Sequence, residues 1–227
     1  LLTSSAASDV YKRQILDTFS MDKNLNNLFV ISSPSGGGKS SLIEALLSEP
    51  NAQNLSLSIS FTTRLKRSTE EDGKNYYFID RKEFEKKINN NDFLEYAEVF
   101  NNFYGTERQK TEKILKSKDL LLELDWQGAF NIKEKFIETK NIFLIPPSFD
   151  DLKKRLKNRG TESNESIEMR LSAAKEEISK HSSYDYLVLN DNFEFALEDL
   201  KKIVLNKVSA EDFESRVTDK LLNKLLD

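Results

Sequence analysis

A glycine-rich run, Ser33-Pro34-Ser35-Gly36-Gly37-Gly38-Lys39-Ser40-Ser41, carries the residue types best suited to binding phosphate. Consecutive glycines let backbone N–H groups turn inward around an anion, the Lys39 ammonium reaches distal phosphates, and the Ser40 hydroxyl can ligate Mg²⁺. The strict pattern for such a loop, G-x-x-x-x-G-K-[ST], has glycine where this chain has Ser33. The run nevertheless indicates that the chain binds a nucleoside triphosphate.

The segments on either side of this run have the patterns of a buried strand and of a helix. Leu28-Phe29-Val30-Ile31-Ser32 is almost wholly apolar, as strands of a parallel sheet are, and Ser41 to Leu47 has helical periodicity. A strand, a glycine-rich turn and a helix in this order are the setting in which such loops bind phosphate. The alternative is a surface turn that binds nothing.

Composition limits what the rest of the chain does. Its 227 residues, 38% hydrophobic and 32% charged, are enough for one globular domain with its own core. The 34 basic and 38 acidic residues give a net charge of -4, so we expect neither a nucleic-acid nor a membrane partner. The chain has no cysteine, which excludes disulfides and suits a reducing cytoplasm.

Beyond the loop, strand and helix patterns alternate, which favours an α/β fold with a parallel sheet. The predicted strands are 55–60, 120–124, 142–145 and 186–190. One predicted helix begins near 127, and the others span 149–158, 166–180 and 193–208. A segment of about 60–108 interrupts this alternation. It has predicted strands at 76–79 and 93–100 and a predicted helix at 81–90.

The two ends of the chain have separate interpretations. Residues 1–20 have no signal-peptide pattern, and Asp9 to Gln14 resembles the translation of a sequencing-library adapter, so Met21 is the expected natural start. A disordered natural leader is the alternative. Near the other end, apolar residues at four-residue spacing predict a helix within 209–227, namely Phe213, Val217, Leu221 and Leu225. Its apolar face would pack on its own domain or, in a homo-oligomer, on a second copy of the chain.

A second group of polar residues could bind another anion. Arg64 and Arg67 lie three residues apart, and Glu70, Tyr76 and Tyr104 follow in the interrupting segment. Guanidinium groups bind phosphate through paired hydrogen bonds, and phenolic hydroxyls add further donors. Arginines in loops are also commonly solvated without any ligand.

Six motifs occur in order along the chain: Pro34-Ser35-Gly36-x-Gly38-Lys39-Ser40, Thr62-Thr63-Arg64-x-x-Arg67, Tyr104-Gly105-Thr106, Asp125-x-Gln127-Gly128, Pro146-Pro147-Ser148 and Arg159-Gly160-Thr161. By these motifs the chain resembles the guanylate kinases from about Leu28 to Val208, and its tail is similar to the C-terminal helix of bacterial members. The resemblance implies a P-loop three-layer α/β fold with a central parallel sheet. It also implies a core at 25–59, 109–148 and 181–208. A GMP-binding subdomain of mixed strands would lie at 60–108 and a helical lid at about 149–180.

The resemblance implies a GMP site formed by Ser60, Arg64, Arg67, Glu70, Tyr76, Glu95, Tyr104, Thr106 and Glu123. The members that would hold the monophosphate are Arg64, Arg67, Tyr76 and Tyr104. Guanine offers N–H donors and the O6 acceptor, so the Glu95 carboxylate suits the donors while the Ser60 and Thr106 hydroxyls suit O6. Adenine would leave that carboxylate without a partner, which disfavours AMP.

The resemblance also implies an ATP site, with ATP as the phosphoryl donor. Its residues would be Ser35, Gly36, Gly37, Gly38, Lys39, Ser40, Ser41 and, near the adenine, Asn190. The residues that would be catalytic are Lys39 and the lid arginines Arg155, Arg159 and Arg170. The cofactor Mg²⁺ would be bound by Ser40 and, through water, by Asp125 at the end of an apolar strand.

The chain departs from the guanylate kinase pattern in the loop between its two phosphate arginines. Leu65-Lys66 and Ser68-Thr69 stand where proline and glycine are usual, which predicts a less pre-organised loop and bears on GMP affinity more than on activity. Three milder departures are Ser33 in place of glycine, Thr106 in place of serine and Glu123 in place of aspartate.

The sequence therefore predicts a cytoplasmic enzyme that transfers the γ-phosphate of Mg-ATP to GMP, giving ADP and GDP. One alternative is a kinase for another nucleoside monophosphate, which Ser60, Glu95 and Thr106 would distinguish. The other is a non-catalytic binding module of guanylate-kinase-like type. Such modules generally have degraded phosphate loops, whereas Lys39 and Ser40 are intact here.

Overall fold

The computed structural model describes residues 25–158 and 163–227, so the predicted leader at 1–20 lies outside the described residues. The main sheet has five strands, in the order β2 (Leu55–Leu57), β7 (Asp119–Glu123), β1 (Leu28–Ser32), β8 (Lys140–Ile145) and β9 (Tyr186–Leu189). Every neighbouring pair is parallel, which confirms the predicted sheet. All residues of the central strand β1 are buried, which explains its unbroken apolar run.

Helices cover both faces of this sheet. Alternate residues of β1 point to opposite faces, so Phe29 and Ile31 pack in one buried cluster and Val30 packs in another. The first cluster includes side chains of α1 (Lys39–Leu47) and α7 (Phe193–Val204). The second includes side chains of α3 (Arg108–Leu115), α4 (Trp126–Lys135), α6 (Asn164–Ser179) and α8 (Asp219–Leu226). The three layers confirm the predicted fold class.

A second, smaller sheet is inserted between β2 and α3. Its strands, in sheet order, are β4 (Tyr77–Phe78), β3 (Phe61–Thr62), β6 (Asn102–Glu107) and β5 (Phe93–Val99), and α2 (Arg81–Asn89) lies between β4 and β5 in sequence. β3 and β4 are parallel while the other pairs are antiparallel, which confirms the mixed strands. The predicted strand 55–60 is wrong at its end because β2 stops at Leu57, and the chain then enters the small sheet as β3.

Two helices follow the main strands near the phosphate loop: α5 (Phe149–Asn158) and α6. The motif Arg159-Gly160-Thr161 between them lies outside the described residues. Within 25–158 and 163–227, no helix combines the length and apolar character needed to cross a membrane.

The C-terminal helix is shorter than predicted, because only Asp219–Leu226 of the segment 209–227 is helical. Phe213 instead packs against Tyr186, with ring centroids 5.7 Å apart. The guanidinium of Arg216 donates from Nη2 to the carbonyl of Leu189 at 2.7 Å, a contact that ties this non-helical segment to the end of β9.

The apolar side of α8 is buried within its own chain. Leu222 and Leu225 are 8% and 2% exposed and pack in the second core cluster. Lys175 on α6 donates to the carbonyl of Asp227 at 3.0 Å. Of the two predicted ways to bury this face, the structure favours packing on the same domain.

Candidate active site

One cleft of about 920 Å³ lies between the phosphate loop, the small sheet and α6. It is lined by residues of both predicted nucleotide sites: Ser35, Gly36, Gly37, Gly38, Lys39, Ser40, Ser60, Arg64, Arg67, Glu70, Tyr76, Glu95, Tyr104, Glu123, Asp125 and Arg170. The fold therefore brings together two groups that are separated along the sequence. Ser41 is exposed on α1 and is not among the lining residues.

The phosphate loop has the backbone that its glycines predict. Gly36 and Gly38 have φ of 87° and 86°, in the left-handed region that favours glycine. A Cβ atom on Gly37 would lie 2.7 Å from the Cβ of Ser33, so the serine fits only because Gly37 has no side chain. Gly38 caps α1 without a side-chain hydrogen bond, which leaves the first N–H groups of the helix for an anion.

Glu123 lies on the phosphate-loop side of the cleft, although the sequence analysis assigned it to GMP. Ser40 Oγ donates to Glu123 Oε1 at 2.7 Å, and Lys39 Nζ lies 3.9 Å from the same oxygen. A hydroxyl and a carboxylate are oxygen ligands of the kind that Mg²⁺ prefers, with substrate phosphates and water completing its shell. The described residues contain no cluster of three or more His, Cys, Asp or Glu side chains suited to a metal. The residues present therefore fit Mg²⁺ bound together with a triphosphate rather than in an all-protein site.

Asp125 also lines the cleft, but its carboxylate caps a helix. Oδ1 accepts from the N–H of Gly128 at 3.0 Å, and Oδ2 accepts from Gln127 Nε2 at 3.2 Å. With both oxygens already hydrogen-bonded, Asp125 is better placed to contact a metal through water than directly.

Arg64 and Arg67 converge on Glu70 in the small sheet's loop. Arg64 binds the Glu70 carboxylate with both Nη atoms, at 3.0 and 2.7 Å, and the Arg67 N–H donates to it at 2.8 Å. Burial alone would raise the pKa of Glu70, but these hydrogen bonds hold its pKa below the usual value. Glu70 thus orders the loop that lacks proline and glycine.

Two aromatic hydroxyl residues stand beside this arginine pair. Arg64 Cζ lies 5.6 Å from the ring centroid of Tyr76, and the rings of Tyr76 and Tyr104 meet edge to face at 5.9 Å. Burial raises the pKa of Tyr76, so its hydroxyl stays protonated and able to donate. The four predicted monophosphate residues therefore form one cationic, donor-rich patch.

Glu95 is a buried carboxylate on the small sheet, and only 4% of it is exposed. The fully buried Thr106 donates from Oγ1 to Glu95 Oε1 at 2.6 Å. Burial raises the pKa of Glu95 to about 7, Thr106 opposes this shift, and the charge of Asp125 adds to it. Because a hydroxyl has a single proton, Thr106 as observed orients Glu95 rather than donating to a ligand.

Arg155 and Asn190 lie behind the phosphate loop. Asn190 Nδ2 donates to the carbonyl of Gly37 at 2.6 Å, and Arg155 Nη2 donates to the carbonyl of Asn190 at 2.9 Å. Arg170 reaches the loop from α6, where its Nη1 donates to Ser35 Oγ at 2.8 Å. The fourth predicted catalytic residue, Arg159, lies outside the described residues.

Among the lining residues that the sequence analysis did not assign are one charged residue, Glu177, and one aromatic residue, Phe100. Glu177 follows Arg170 by seven residues on α6, a spacing that places both on one helix face and could have revealed it. Burial raises the pKa of Glu177 to about 7, with Lys39 opposing this shift and Asp125 adding to it. Phe100 lies beside Arg170, but no sequence signal brings a hairpin residue and a distant helix together.

Comparisons with known proteins show the family of the chain. A family model described as guanylate kinase matches residues 25–207. The guanylate kinase of Buchnera aphidicola subsp. Schizaphis graminum is 52% identical over 179 residues, which cover 78% of this chain and 86% of that protein. The guanylate kinase of Vibrio parahaemolyticus is 46% identical over 200 residues, covering 88% and 97% of the two chains.

A solved structure extends the similarity to three dimensions. The crystal structure of guanylate kinase from Anaplasma phagocytophilum matches with a TM-score of 0.67 at 36% identity, covering 85% of this chain and 89% of that one. Sequence, fold and cleft thus point to one conclusion. The chain belongs to the guanylate kinase family.

Proposed function

We propose that this chain transfers the γ-phosphoryl group of ATP to GMP with the help of Mg²⁺, giving ADP and GDP. Family membership supports the reaction. The observation that carries it is that one cleft has the phosphate loop on one side and the arginine pair and Glu95 on the other. In this proposal the core consists of residues 25–59, 109–148 and 181–208. The acceptor-binding subdomain spans 60–108, and the lid spans about 149–180. The cytoplasmic location stays a prediction from the sequence.

The acceptor side would bind GMP through its phosphate and its base. In this proposal Arg64, Arg67, Tyr76 and Tyr104 hold the monophosphate, while Glu70 keeps the two guanidinium groups in place. Ionised Glu95 accepts from the guanine N–H donors, and Ser60 donates to O6. Thr106 orients Glu95, which its 2.6 Å hydrogen bond supports.

The donor side would bind ATP on the loop before α1. Backbone N–H groups of Gly36 to Ser41 and the Lys39 ammonium surround the phosphates. Ser40, Glu123 and, through water, Asp125 would hold Mg²⁺, which when bound neutralises charge on the phosphate oxygens. The contact between Ser40 and Glu123 supports moving Glu123 from the acceptor side to this role.

Transfer would proceed by direct displacement between the two nucleotides. A phosphate oxygen of GMP forms the new bond to the γ-phosphorus of ATP while the bond from that phosphorus to the bridging oxygen breaks and ADP leaves. The nucleophile is already anionic, so the step needs little proton transfer. Lys39 and Arg170 stabilise the charge on the transferring group, and lid closure excludes water.

A coupled assay of ADP formation with ATP and each of GMP, AMP, dTMP and UMP tests the function. We expect turnover with GMP, and Lys39→Ala should lower it roughly 100- to 1,000-fold because one charged donor is lost. Lys220→Ala, which removes an exposed lysine on α8, is the control and should leave turnover unchanged.

Three results would contradict the proposal. Preferred turnover of another monophosphate would indicate the alternative kinase, and GMP binding without turnover would indicate a binding module. Normal turnover by Lys39→Ala would contradict the role of the phosphate loop.

A further inference from the structure

The tip of the hairpin between β5 and β6 carries an aromatic residue in a conformation that side chains rarely adopt. Val99 pairs with Asn102, so Phe100 and Asn101 form a two-residue turn, with φ of 49° and 61°. Asparagine and glycine suit such a turn, whereas a bulky residue there is strained. Asn102 Nδ2 donates to the carbonyl of Phe100 at 2.8 Å and so helps to hold this backbone.

The ring of Phe100 faces a guanidinium group inside the cleft. Arg170 Cζ lies 4.7 Å from the ring centroid, within the distance of a cation–π contact, and both residues line the cleft. The same guanidinium donates from Nη1 to Ser35 Oγ at 2.8 Å. Arg170 is therefore held between the phosphate loop and the hairpin tip.

The hairpin also carries residues of the proposed acceptor site. Glu95 lies on β5, and Tyr104 and Thr106 lie on the paired strand β6. Because paired strands are joined by backbone hydrogen bonds, the position of Phe100 follows that of the acceptor residues. Strained residues of this kind cluster at ligand sites, where the surrounding structure keeps them in place.

We propose that Phe100 is a positioning residue for phosphoryl transfer, whose ring holds the Arg170 guanidinium between the donor loop and the acceptor hairpin. This inference rests on the proposed function, in which Arg170 stabilises charge on the transferring group. Phe100 touches no reacting atom and acts through Arg170. Its effect therefore falls on kcat rather than on the binding of either nucleotide.

Steady-state kinetics of Phe100 variants test this role. Phe100→Leu keeps an apolar side chain without the ring face, and we expect kcat to fall roughly 3- to 30-fold, the size of a cation–π contact. The KM values for ATP and GMP should change less than about 2-fold. Phe100→Tyr keeps a ring and should retain kcat. The control is Phe195→Leu, which removes an exposed ring 5.4 Å from Arg216 outside the cleft and should leave kcat unchanged.

A double-mutant cycle shows whether Phe100 acts through Arg170. In the Arg170→Ala background, Phe100→Leu should lower kcat no further. Phe100→Asn separates function from folding, because asparagine tolerates positive φ: its melting temperature should not fall, while its kcat should. A Phe100→Leu variant with normal kcat, or with the same loss in both backgrounds, would overturn the inference. An unmodified chain without ATP and GMP turnover would refute the proposed function, and this inference with it.

Discussion

At the scale of single residues, Glu95 shows how burial and recognition oppose each other. Its carboxylate is 4% exposed and lies near Asp125, so burial and that neighbouring charge raise its pKa to about 7. Lys135 and the hydroxyl of Thr106 offset only part of this effect. A buried carboxylate without a cationic partner in direct contact is costly until a ligand donates to it. The proposed guanine contact would supply those donors.

We therefore expect Glu95→Gln to stabilise the protein at high pH. The folded pKa lies above the ordinary value of 4.5, so the folded state binds the proton more tightly and wild-type stability falls between about pH 4.5 and pH 7. The glutamine variant lacks this loss, so its melting temperature should exceed that of the wild type at pH 8 and approach it at pH 5. Its kcat/KM for GMP should drop about 10- to 100-fold, since a charged acceptor is lost.

Thermal unfolding from pH 5 to pH 8 measures this difference. Glu98→Gln is the control, because Glu98 is an exposed glutamate on the same strand. If Glu95→Gln and the wild type differ in melting temperature by the same amount at every pH, the ionisation of the buried carboxylate is not the cause of the difference.

At the scale of elements, the phosphate loop depends on the end of β9. Asn190 directly follows this strand, is 5% exposed and binds the Gly37 carbonyl at 2.6 Å. That contact holds one peptide of the phosphate-binding turn. The adjacent strands β1 and β8 bring the two segments together, since β9 pairs with β8 and β8 pairs with β1.

We expect Asn190→Ala to weaken ATP binding. The lost hydrogen bond leaves the Gly37 carbonyl without this donor, which should cost about 1 to 3 kcal/mol of stability and raise the KM for ATP. The KM for GMP should stay unchanged. Asn192→Ala is a matched control, because it removes the N-cap of α7 at a similar cost of about 1 kcal/mol. Equal KM values for ATP in the two variants would contradict a role for Asn190 in the loop.

At the scale of the whole molecule, Arg216 fastens the C-terminal segment to the core. Its guanidinium binds Asp199 at 3.1 Å and Asp191 at 2.8 Å, besides the Leu189 carbonyl. Asp199 lies on α7 and is only 3% exposed. One side chain thus joins the end of the main sheet, a core helix and the segment before α8.

Arg216→Ala should destabilise the protein by about 3 kcal/mol, because it leaves the buried Asp199 with Lys202 as its remaining ion-pair partner. Urea unfolding measures the change. Adding Asp199→Asn to this variant should recover part of the loss, since the uncompensated charge disappears. Lys153→Ala, which breaks an exposed ion pair with Glu168, is the control and should cost less than about 1 kcal/mol. A loss no larger than that of this control would contradict the proposed anchor.

The sequence by itself was sufficient for the family and the fold class, and most of the site residues that it predicts line the cleft. These features depend on local patterns, such as the apolar run of β1, the glycines of the phosphate loop and the spacing of the six motifs. Local patterns reflect the short-range demands of backbone geometry and of burying one face of an element. These patterns do not depend on how distant segments of the chain pack together.

Only the tertiary structure decided which side chains touch. It joined Glu123 to Ser40, and it brought Glu177 and Phe100 to the cleft. It also showed that the C-terminal helix begins only at Asp219, because Arg216 contacts β9 and α7 from a non-helical segment before it. Such contacts join residues far apart along the chain, so they depend on the packing of whole elements rather than on the spacing of neighbouring residues.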